Sequence, residues 1–158
     1  IKQEYSMQLF IVAIGKGRAT PEDSLAQRWL SRLQPPGQII EIESKLPPGT
    51  KRAEDESRRL LKAIPDGAAV GVLDPRGKDH SSEHFANLIG KWRDEGFTSA
   101  YFAIGGANGH TNIIRQRANC IIAFGRATWP HILFRAMLAE QLYRASAILA
   151  GHPYHRAN

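Results

Sequence analysis

The segment GHPYHR near the end of the sequence combines side chains that can titrate, stack on a base and bind phosphate. His152, Tyr154, His155 and Arg156 lie within five consecutive positions. A histidine can exchange a proton near neutral pH, a tyrosine ring can stack on a nucleobase, and an arginine can bind phosphate through two hydrogen bonds. The segment therefore has the residue types needed for proton transfer and for contact with a nucleic acid.

Two other kinds of chemistry that use histidine are poorly supported. A zinc site would need a third and usually a fourth ligand beside His152 and His155. His110 and His131 are candidates, but no cysteine or carboxylate spacing accompanies them, and Pro153 breaks any helix that would align the first pair. A serine hydrolase would show a G-x-S-x-G nucleophile elbow, which the sequence lacks. The sequence therefore predicts neither a bound metal nor a hydrolase triad.

Three loops rich in glycine or proline follow apolar runs of the chain. They are LDPRGK at 73–78, IGGANG at 104–109 and FGRATWP at 124–130. Gly105 and Gly106 have no Cβ, so their backbone amides can approach a ligand closely. The sequence has neither the G-x-G-x-x-G dinucleotide fingerprint nor the G-K-[ST] of a P-loop. The glycines alone thus leave two interpretations open, a ligand site or a tight turn into a helix.

Alternating strands and helices must position these loops. Apolar runs predict strands at 8–15, 38–44, 68–74, 98–106 and 118–125. Helical periodicity and capping residues predict helices at about 21–33, 53–64, 82–95, 111–118 and 131–150. This order indicates an α/β fold with a mostly parallel sheet flanked by helices on both faces. The loops at the carboxyl ends of parallel strands share one edge, which is where ligands of such sheets bind.

Composition narrows the class of protein. The chain has 158 residues and 42% hydrophobic residues, which is enough for one core, and we expect a single domain over 7–158 with an N-terminal extension at 1–6. Its net charge of +6 favours a phosphate-rich partner such as RNA. One cysteine, Cys120, cannot form an internal disulfide, which fits a cytoplasmic protein. No apolar run approaches the roughly 20 residues of a membrane span, so we expect no membrane partner.

Four motifs carry a resemblance to a known family. They are LDPRGK followed by SSEHFANLI, then FAIGGANG, ATWPHILFRAMLAEQLYRA and HPYHR, in this order along the chain. With them the sequence resembles, from residue 7 to residue 156, the ribosomal RNA large subunit methyltransferase H family of the SPOUT α/β-knot superfamily. The block PHILFRAMLAEQLYRA with the following PYHR is the most specific part of the match.

The resemblance implies a fold, a reaction and a set of ligand contacts. The fold is a deep trefoil knot formed by the C-terminal third of the chain. The reaction is S-adenosylmethionine-dependent methylation of N3 of a pseudouridine in large-subunit ribosomal RNA, by a homodimer that acts on the assembled ribosome. The cofactor contacts that it implies are Leu73, Gly105, Gly106, Gly125, Arg126, Ala127, Thr128, Trp129 and Pro130.

Under this resemblance the C-terminal segment is pinned beside the cofactor and acts on the target base. Our hypothesis is that His155 or Tyr154 contacts the base, while Arg156 binds phosphate or the deprotonated ring with support from Arg144. The alternative is that Tyr154 and His152 only pack the knot. Further basic residues, at Lys45, Lys51 and Arg52 in a predicted loop over 45–52, are candidate phosphate contacts or simply a solvated loop.

Two other functions remain as alternatives. One is a non-catalytic RNA-binding or ribosome-associated module that keeps the same α/β frame. The other is a nucleotide-dependent oxidoreductase on an ordinary doubly wound sheet, against which the missing dinucleotide fingerprint argues.

Overall fold

Five strands and five helices alternate along the chain. The computed structural model describes residues 6–107 and 109–156. The predicted extension at 1–6 lies outside the described residues except for Ser6. The elements are β1 (Gln8–Ile14), α1 (Pro21–Ser31), β2 (Gln38–Ile42), α2 (Thr50–Ala63), β3 (Ala69–Asp79), α3 (Ser82–Asp94), β4 (Ser99–Ile104), α4 (Asn112–Arg117), β5 (Cys120–Ala123) and α5 (His131–Leu149).

All five strands form one parallel sheet, in the order β2-β1-β4-β3-β5. Successive strand residues point to opposite faces, so β1 supplies Ile11 and Ala13 to one core and Val12 and Ile14 to the other. Helices α1, α3 and α5 cover the first face, and α2 with α4 covers the second. The predicted α/β class with a parallel sheet between two helical layers is confirmed. Strands β4, β3 and β5 are neighbours, so the three loops singled out above meet at one edge.

The helix starts follow local rules. The Thr20 hydroxyl accepts a hydrogen bond from the Asp23 amide at 3.1 Å and Pro21 occupies the first turn, as the sequence indicated for α1. The Ser81 hydroxyl caps α3 in the same way through the His84 amide at 3.1 Å.

The third strand was predicted too short. The sequence indicated a strand that ends at Asp74 with a loop after it, but β3 pairs with β5 again through Lys78 and Asp79 after an irregular stretch. The amide of Arg76 donates to Asp74 Oδ1 at 2.8 Å and turns the backbone. The chain then returns so close to β5 that a Cβ on Gly77 would lie 2.6 Å from the carbonyl of Ile121. Proline and glycine, which suggested a loop, here form a bulge within a strand.

The second helix also begins earlier than predicted. Its first residue is Thr50 rather than Ala53, and Gly49 precedes it with a φ of +142°. Lys51 and Arg52 therefore belong to the first helical turn, and only Lys45 of the three predicted phosphate contacts lies in a loop. Breaker residues ahead of a helix do not reveal its first turn, because a glycine can act as the N-cap itself.

A buried ion pair ties the start of α5 to the sheet. Arg135 is 2% exposed and is the largest fully buried side chain of the described residues. Its Nη1 lies 2.6 Å from Glu41 Oε2, and its Nη2 donates to the Gly15 carbonyl at 2.9 Å. The Gly17 amide donates to the same carboxylate. This pair fixes α5, which carries the C-terminal segment, against the ends of β1 and β2.

Among the described residues, no helix is both long enough and apolar enough to cross a membrane.

Candidate active site

The three loops enclose a cleft of about 400 Å³ at the carboxyl edge of β4, β3 and β5, which we call the edge cleft. Eight of the nine residues assigned to the cofactor by resemblance line it. They are Leu73, Gly105, Gly106, Gly125, Ala127, Thr128, Trp129 and Pro130. Arg126 is exposed on the same loop and does not line the cleft. The structure adds lining residues that the resemblance did not assign to the cofactor, among them Asp74, His110, Phe124 and Phe134.

Glycine is required at several points of this wall. A Cβ on Gly105 would lie 3.2 Å from the ring of His110, and one on Gly106 would lie 3.0 Å from Glu56 Oε2. Gly125 has a φ of +80°, in the left-handed region that favours glycine. A larger residue at these positions would therefore displace the wall. With glycine there, the backbone of the wall is accessible from the cleft.

A hydrogen-bonded cluster fixes the floor of the edge cleft. Asp74 Oδ2 accepts from Arg115 Nε at 3.1 Å, and Arg115 Nη2 donates to the His110 carbonyl at 2.6 Å. Burial raises the pKa of Asp74, but hydrogen bonds from the Arg76 amide and from Arg115 hold it below its ordinary value. Burial lowers the pKa of His110, so its ring is neutral at neutral pH. The floor therefore carries no histidine cation.

Two contacts hold the third loop over the cleft. Asp79 Oδ1 accepts a hydrogen bond from the Gly125 amide at 2.8 Å. The indole Nε1 of Trp129 donates to the Phe124 carbonyl at 3.3 Å, and Trp129 is 42% exposed. Sequence reasoning missed Asp79 because it was assigned to a loop, whereas the extension of β3 is what brings it to Gly125.

The C-terminal segment is packed against the protein. The ring of Tyr154 lies 5.6 Å from that of Trp29 and 5.0 Å from that of Tyr143, and the guanidinium of Arg144 lies 4.8 Å above it. Its hydroxyl donates to Glu140 Oε1 at 2.8 Å. Burial, followed by the hydrogen bond to Glu140, raises the pKa of Tyr154. Tyr154 therefore stays protonated at neutral pH and does not act as a base there.

His155 lies between two helices. Its Nε2 is 2.8 Å from Glu83 Oε1 on α3, and its Nδ1 is 3.1 Å from Arg144 Nη1 on α5. The hydrogen bond from His155 lowers the pKa of Glu83. Arg156 is exposed. The structure thus brings Arg144, Tyr154 and His155 together and leaves the Arg156 guanidinium open to solvent.

A second cleft, of about 520 Å³, lies between α1, α5 and the end of β5, and we call it the side cleft. Its wall includes Trp29 and Glu140, which contact Tyr154, and it shares Phe124 and Gly125 with the edge cleft. Within one chain, no described residue of the C-terminal segment at 151–156 lines the edge cleft. The segment is ordered against α1 and α5, one cleft away from the loops.

Among the residues that the structure describes, no group of three His, Cys, Asp or Glu side chains could hold a metal ion. His152 instead accepts a hydrogen bond from the Tyr154 amide through Nδ1 at 3.2 Å.

Comparison with known proteins decides the family. Residues 7–155 match the family described as "Predicted SPOUT methyltransferase". The ribosomal RNA large subunit methyltransferase H of Paramagnetospirillum magneticum is 48% identical over 151 residues, which cover 95% of this chain and 99% of that protein. Those of Nitrobacter hamburgensis and Rhodospirillum centenum are 43% and 45% identical, over 95% and 96% of this chain and 99% and 100% of theirs. The chain belongs to the ribosomal RNA large subunit methyltransferase H family of SPOUT methyltransferases. The resemblance stated from the motifs is confirmed.

Membership of the SPOUT family supports the C-terminal trefoil knot that the motifs implied. A threaded chain cannot fray as a free terminus does, because the loop around it restricts its motion.

The edge cleft fits the methyl donor of SPOUT methyltransferases, S-adenosylmethionine. Gly105 and Gly106 line the cleft without a Cβ, so a ligand can approach their backbone there. The neutral ring of His110 places no positive charge beside a sulfonium cation. Leu73, Phe124 and Trp129 provide apolar surface for an adenine ring.

Asp79 gives a direct test of whether the loop at 124–130 takes part in binding the methyl donor. Asp79→Ala removes the acceptor for the Gly125 amide, so the loop at 124–130 loses a tether. We expect the dissociation constant for S-adenosylmethionine to rise by about fivefold, which corresponds to about 1 kcal/mol for one hydrogen bond. Isothermal titration calorimetry measures it, with the exposed Asp66→Ala as the matched control. An unchanged constant in Asp79→Ala would show that the tether is dispensable.

Proposed function

We propose that this protein transfers a methyl group from S-adenosylmethionine to N3 of a pseudouridine in large-subunit ribosomal RNA. The observation that carries the proposal is the wall shared between the edge cleft and the side cleft. On one side of this wall lies the glycine-lined edge cleft, and on the other lies the side cleft, whose residues Trp29 and Glu140 contact the packed C-terminal segment. Support also comes from the names of the relatives, which are ribosomal RNA large subunit methyltransferases.

The side chains divide the chemistry between them. Bound S-adenosylmethionine supplies an electrophilic methyl group on a sulfonium, and its transfer breaks the S–CH₃ bond and forms an N–CH₃ bond. The target nitrogen must lose its proton, and we assign its removal to His155. Arg144 and the exposed Arg156 stabilise the negative charge of the base or bind its phosphates. Tyr154 is half-buried, with Arg144 over its ring and Glu140 on its hydroxyl, so it contacts the base through the ring surface that stays exposed.

We also propose that the protein acts as a homodimer. Leu25 and Leu133 are 38% and 36% exposed and line the side cleft between α1 and α5. A second copy placed on this surface would cover them and bring the C-terminal segment of one protomer close to the edge cleft of the other. Analytical ultracentrifugation tests this proposal, because a homodimer sediments as a species of twice the 17.6 kDa chain mass.

Cations on the loop side of the sheet favour contact with RNA phosphates. Within the described chain, Lys45, Arg76, Lys78 and Arg126 are exposed and form no ion pair. Arg52 differs, because its Nε is 3.0 Å from Glu56 Oε1. A substrate made of ribosomal RNA, within the assembled ribosome, places the reaction in the cytoplasm.

The function is tested on large ribosomal subunits from a strain that lacks this gene. The purified protein and S-adenosylmethionine should add one methyl group to one pseudouridine of these subunits, located by mass spectrometry of nuclease fragments. Subunits from the parent strain, already methylated, are the control. Binding to subunits without methyl incorporation would support the non-catalytic RNA-binding module instead. Incorporation into another nucleotide would overturn the assignment of the target.

A further inference from the structure

Glu140 joins Tyr154 of the C-terminal segment to Arg144 of the same helix, α5. It lies in the middle of α5, and its Oε1 accepts from the Tyr154 hydroxyl at 2.8 Å and from Arg144 Nε at 3.0 Å. Arg144 Nη2 donates to the same oxygen. One carboxylate oxygen therefore sets the position of two residues that the proposed reaction uses.

The contacts continue from these residues to the reacting end of the chain. Arg144, held by Glu140, lies above the Tyr154 ring and contacts His155 Nδ1 at 3.1 Å. The hydrogen bond and charge of Glu140 raise the pKa of Arg144. Among the described residues, His155 makes one other side-chain hydrogen bond, with the exposed Glu83 at 2.8 Å. Glu140 is thus the partly buried end of this hydrogen-bond network. The contact at the other end, between His155 and Glu83, is exposed to solvent and contributes little to stability.

We propose that Glu140 is a positioning residue that acts through Tyr154 and Arg144 to hold the C-terminal segment in its reactive arrangement. This inference rests on the proposed methyl transfer. Glu140 touches neither the edge cleft nor the reacting atoms within the described structure, so its effect passes through the two residues it binds.

The surroundings of Glu140 distinguish positioning from a role in folding. Its side chain is 21% exposed and that of Arg144 is 25% exposed, so water can solvate both if their contact is broken. The adjacent core of α5 is made by Leu138, Ala139 and Leu142, which face the sheet. Loss of Glu140 should therefore leave the fold intact and free the segment.

The test compares Glu140→Ala and Glu140→Gln with Glu54→Ala, an exposed glutamate of another helix. We expect Glu140→Ala to lower kcat by about tenfold to 100-fold, because small displacements of reacting groups have effects of this size. The KM for ribosomal subunits, the affinity for S-adenosylmethionine and the Tm should change little. Glu140→Gln, which keeps an acceptor for the Tyr154 hydroxyl, should retain more activity. Amide hydrogen exchange at 151–156 should be faster in Glu140→Ala than in the control.

A double-mutant cycle checks the route. If Glu140 acts through Tyr154, Glu140→Ala should lower kcat by a smaller factor in the Tyr154→Phe protein than in the wild type. Wild-type activity with equal kcat in Glu140→Ala and Glu54→Ala would overturn the inference while the proposed function stands. Parallel losses of Tm or donor affinity would also overturn it, in favour of a structural role. An inactive wild type would contradict the proposed function itself.

Discussion

Replacing His155 by alanine is expected to lower the kcat of methyl transfer by about 100-fold or more, while S-adenosylmethionine binds with unchanged affinity. Proton transfer by a positioned side chain contributes about 10²–10⁴-fold to the rates of reactions that need it. Glu83 and Arg144 hold the His155 ring, at 2.8 Å from Nε2 and 3.1 Å from Nδ1. Because a guanidinium only donates, Nδ1 is the accepting nitrogen, and the target base must displace Arg144 from it to pass on its proton. Rapid-quench or steady-state assays on unmethylated large subunits give kcat, and calorimetry gives the donor affinity.

The matched control is His84→Ala, since His84 is an exposed histidine of α3 next to Glu83. It should keep full activity. Alanine at Tyr154 or Arg156 should also reduce methyl transfer, through lost stacking and lost phosphate contact respectively. If alanine at all three positions leaves kcat and donor affinity unchanged, the C-terminal segment only packs the knot.

Mixed dimers show which chain supplies each part of the site. A protomer with His155→Ala keeps its edge cleft. A protomer with Gly106→Val keeps its C-terminal segment but has a displaced cleft wall, because a Cβ there would lie 2.9 Å from the Ile14 side chain and 3.0 Å from Glu56 Oε2. In a heterodimer of the two, activity appears only if the segment of one protomer serves the cleft of the other. No activity would place both parts within one chain, joined through the side cleft.

Glu41→Gln is expected to lower the free energy of unfolding by about 3 kcal/mol, as is typical when one partner of a buried ion pair is removed. Arg135 is 2% exposed and its Nη1 lies 2.6 Å from Glu41 Oε2, so the substitution leaves a buried guanidinium without a counter-charge. Glutamine is nearly isosteric, which keeps cavity formation out of the result. Urea unfolding followed by circular dichroism measures the change.

Glu43→Gln is the control for that experiment. Glu43 lies two residues further along, and its ion pair with Lys16 at 3.6 Å is between side chains that are 54% and 76% exposed. Exposed pairs contribute about 0–1 kcal/mol. Equal effects of the two substitutions would mean that the charge of Arg135 is compensated without Glu41.

The same pair predicts how stability depends on pH. Burial alone would raise the pKa of Glu41, but hydrogen bonds from Arg135 and the Gly17 amide, with the charge of Arg135, lower it below its ordinary 4.5. The folded protein then binds fewer protons than the unfolded chain in acid. The stabilisation that the Glu41 carboxylate contributes is present above the ordinary carboxyl pKa. It is lost as the pH falls towards the lowered pKa of Glu41 in the folded protein. Glu41→Gln should therefore flatten the acid limb of the stability curve.

Local sequence was sufficient for the elements and for their order. The continuous apolar run of β1, the Thr20–Pro21 start of α1 and the periodic Phe85 and Ile89 of α3 report on contacts within a few residues of the chain. Parallel strands joined by helices then place their carboxyl-end loops at one edge, so the location of the edge cleft followed from the element order alone.

The composition of the C-terminal segment and the loop motifs also sufficed to indicate the family, which the comparisons confirm. They did not show how the segment is held. The residue types of Tyr154 and His155 were enough to make them candidates for contact with the base. Glu140 had no such signal, because its sequence context is that of an ordinary surface glutamate on a helix.

Only the tertiary structure decided the contacts between residues far apart in the chain. Asp79 meets Gly125 because β3 resumes pairing with β5, and Glu41 meets Arg135 across 94 positions. Gly77 is needed because the backbone of Ile121 passes within 2.6 Å of where its Cβ would be. Strand and helix periodicity depends on neighbours along the chain, whereas ion pairs, bulges and close approaches depend on which distant segments the folded sheet places side by side. That is why the sequence predicted the loops and the reacting residue types, and the fold determined what holds them in place.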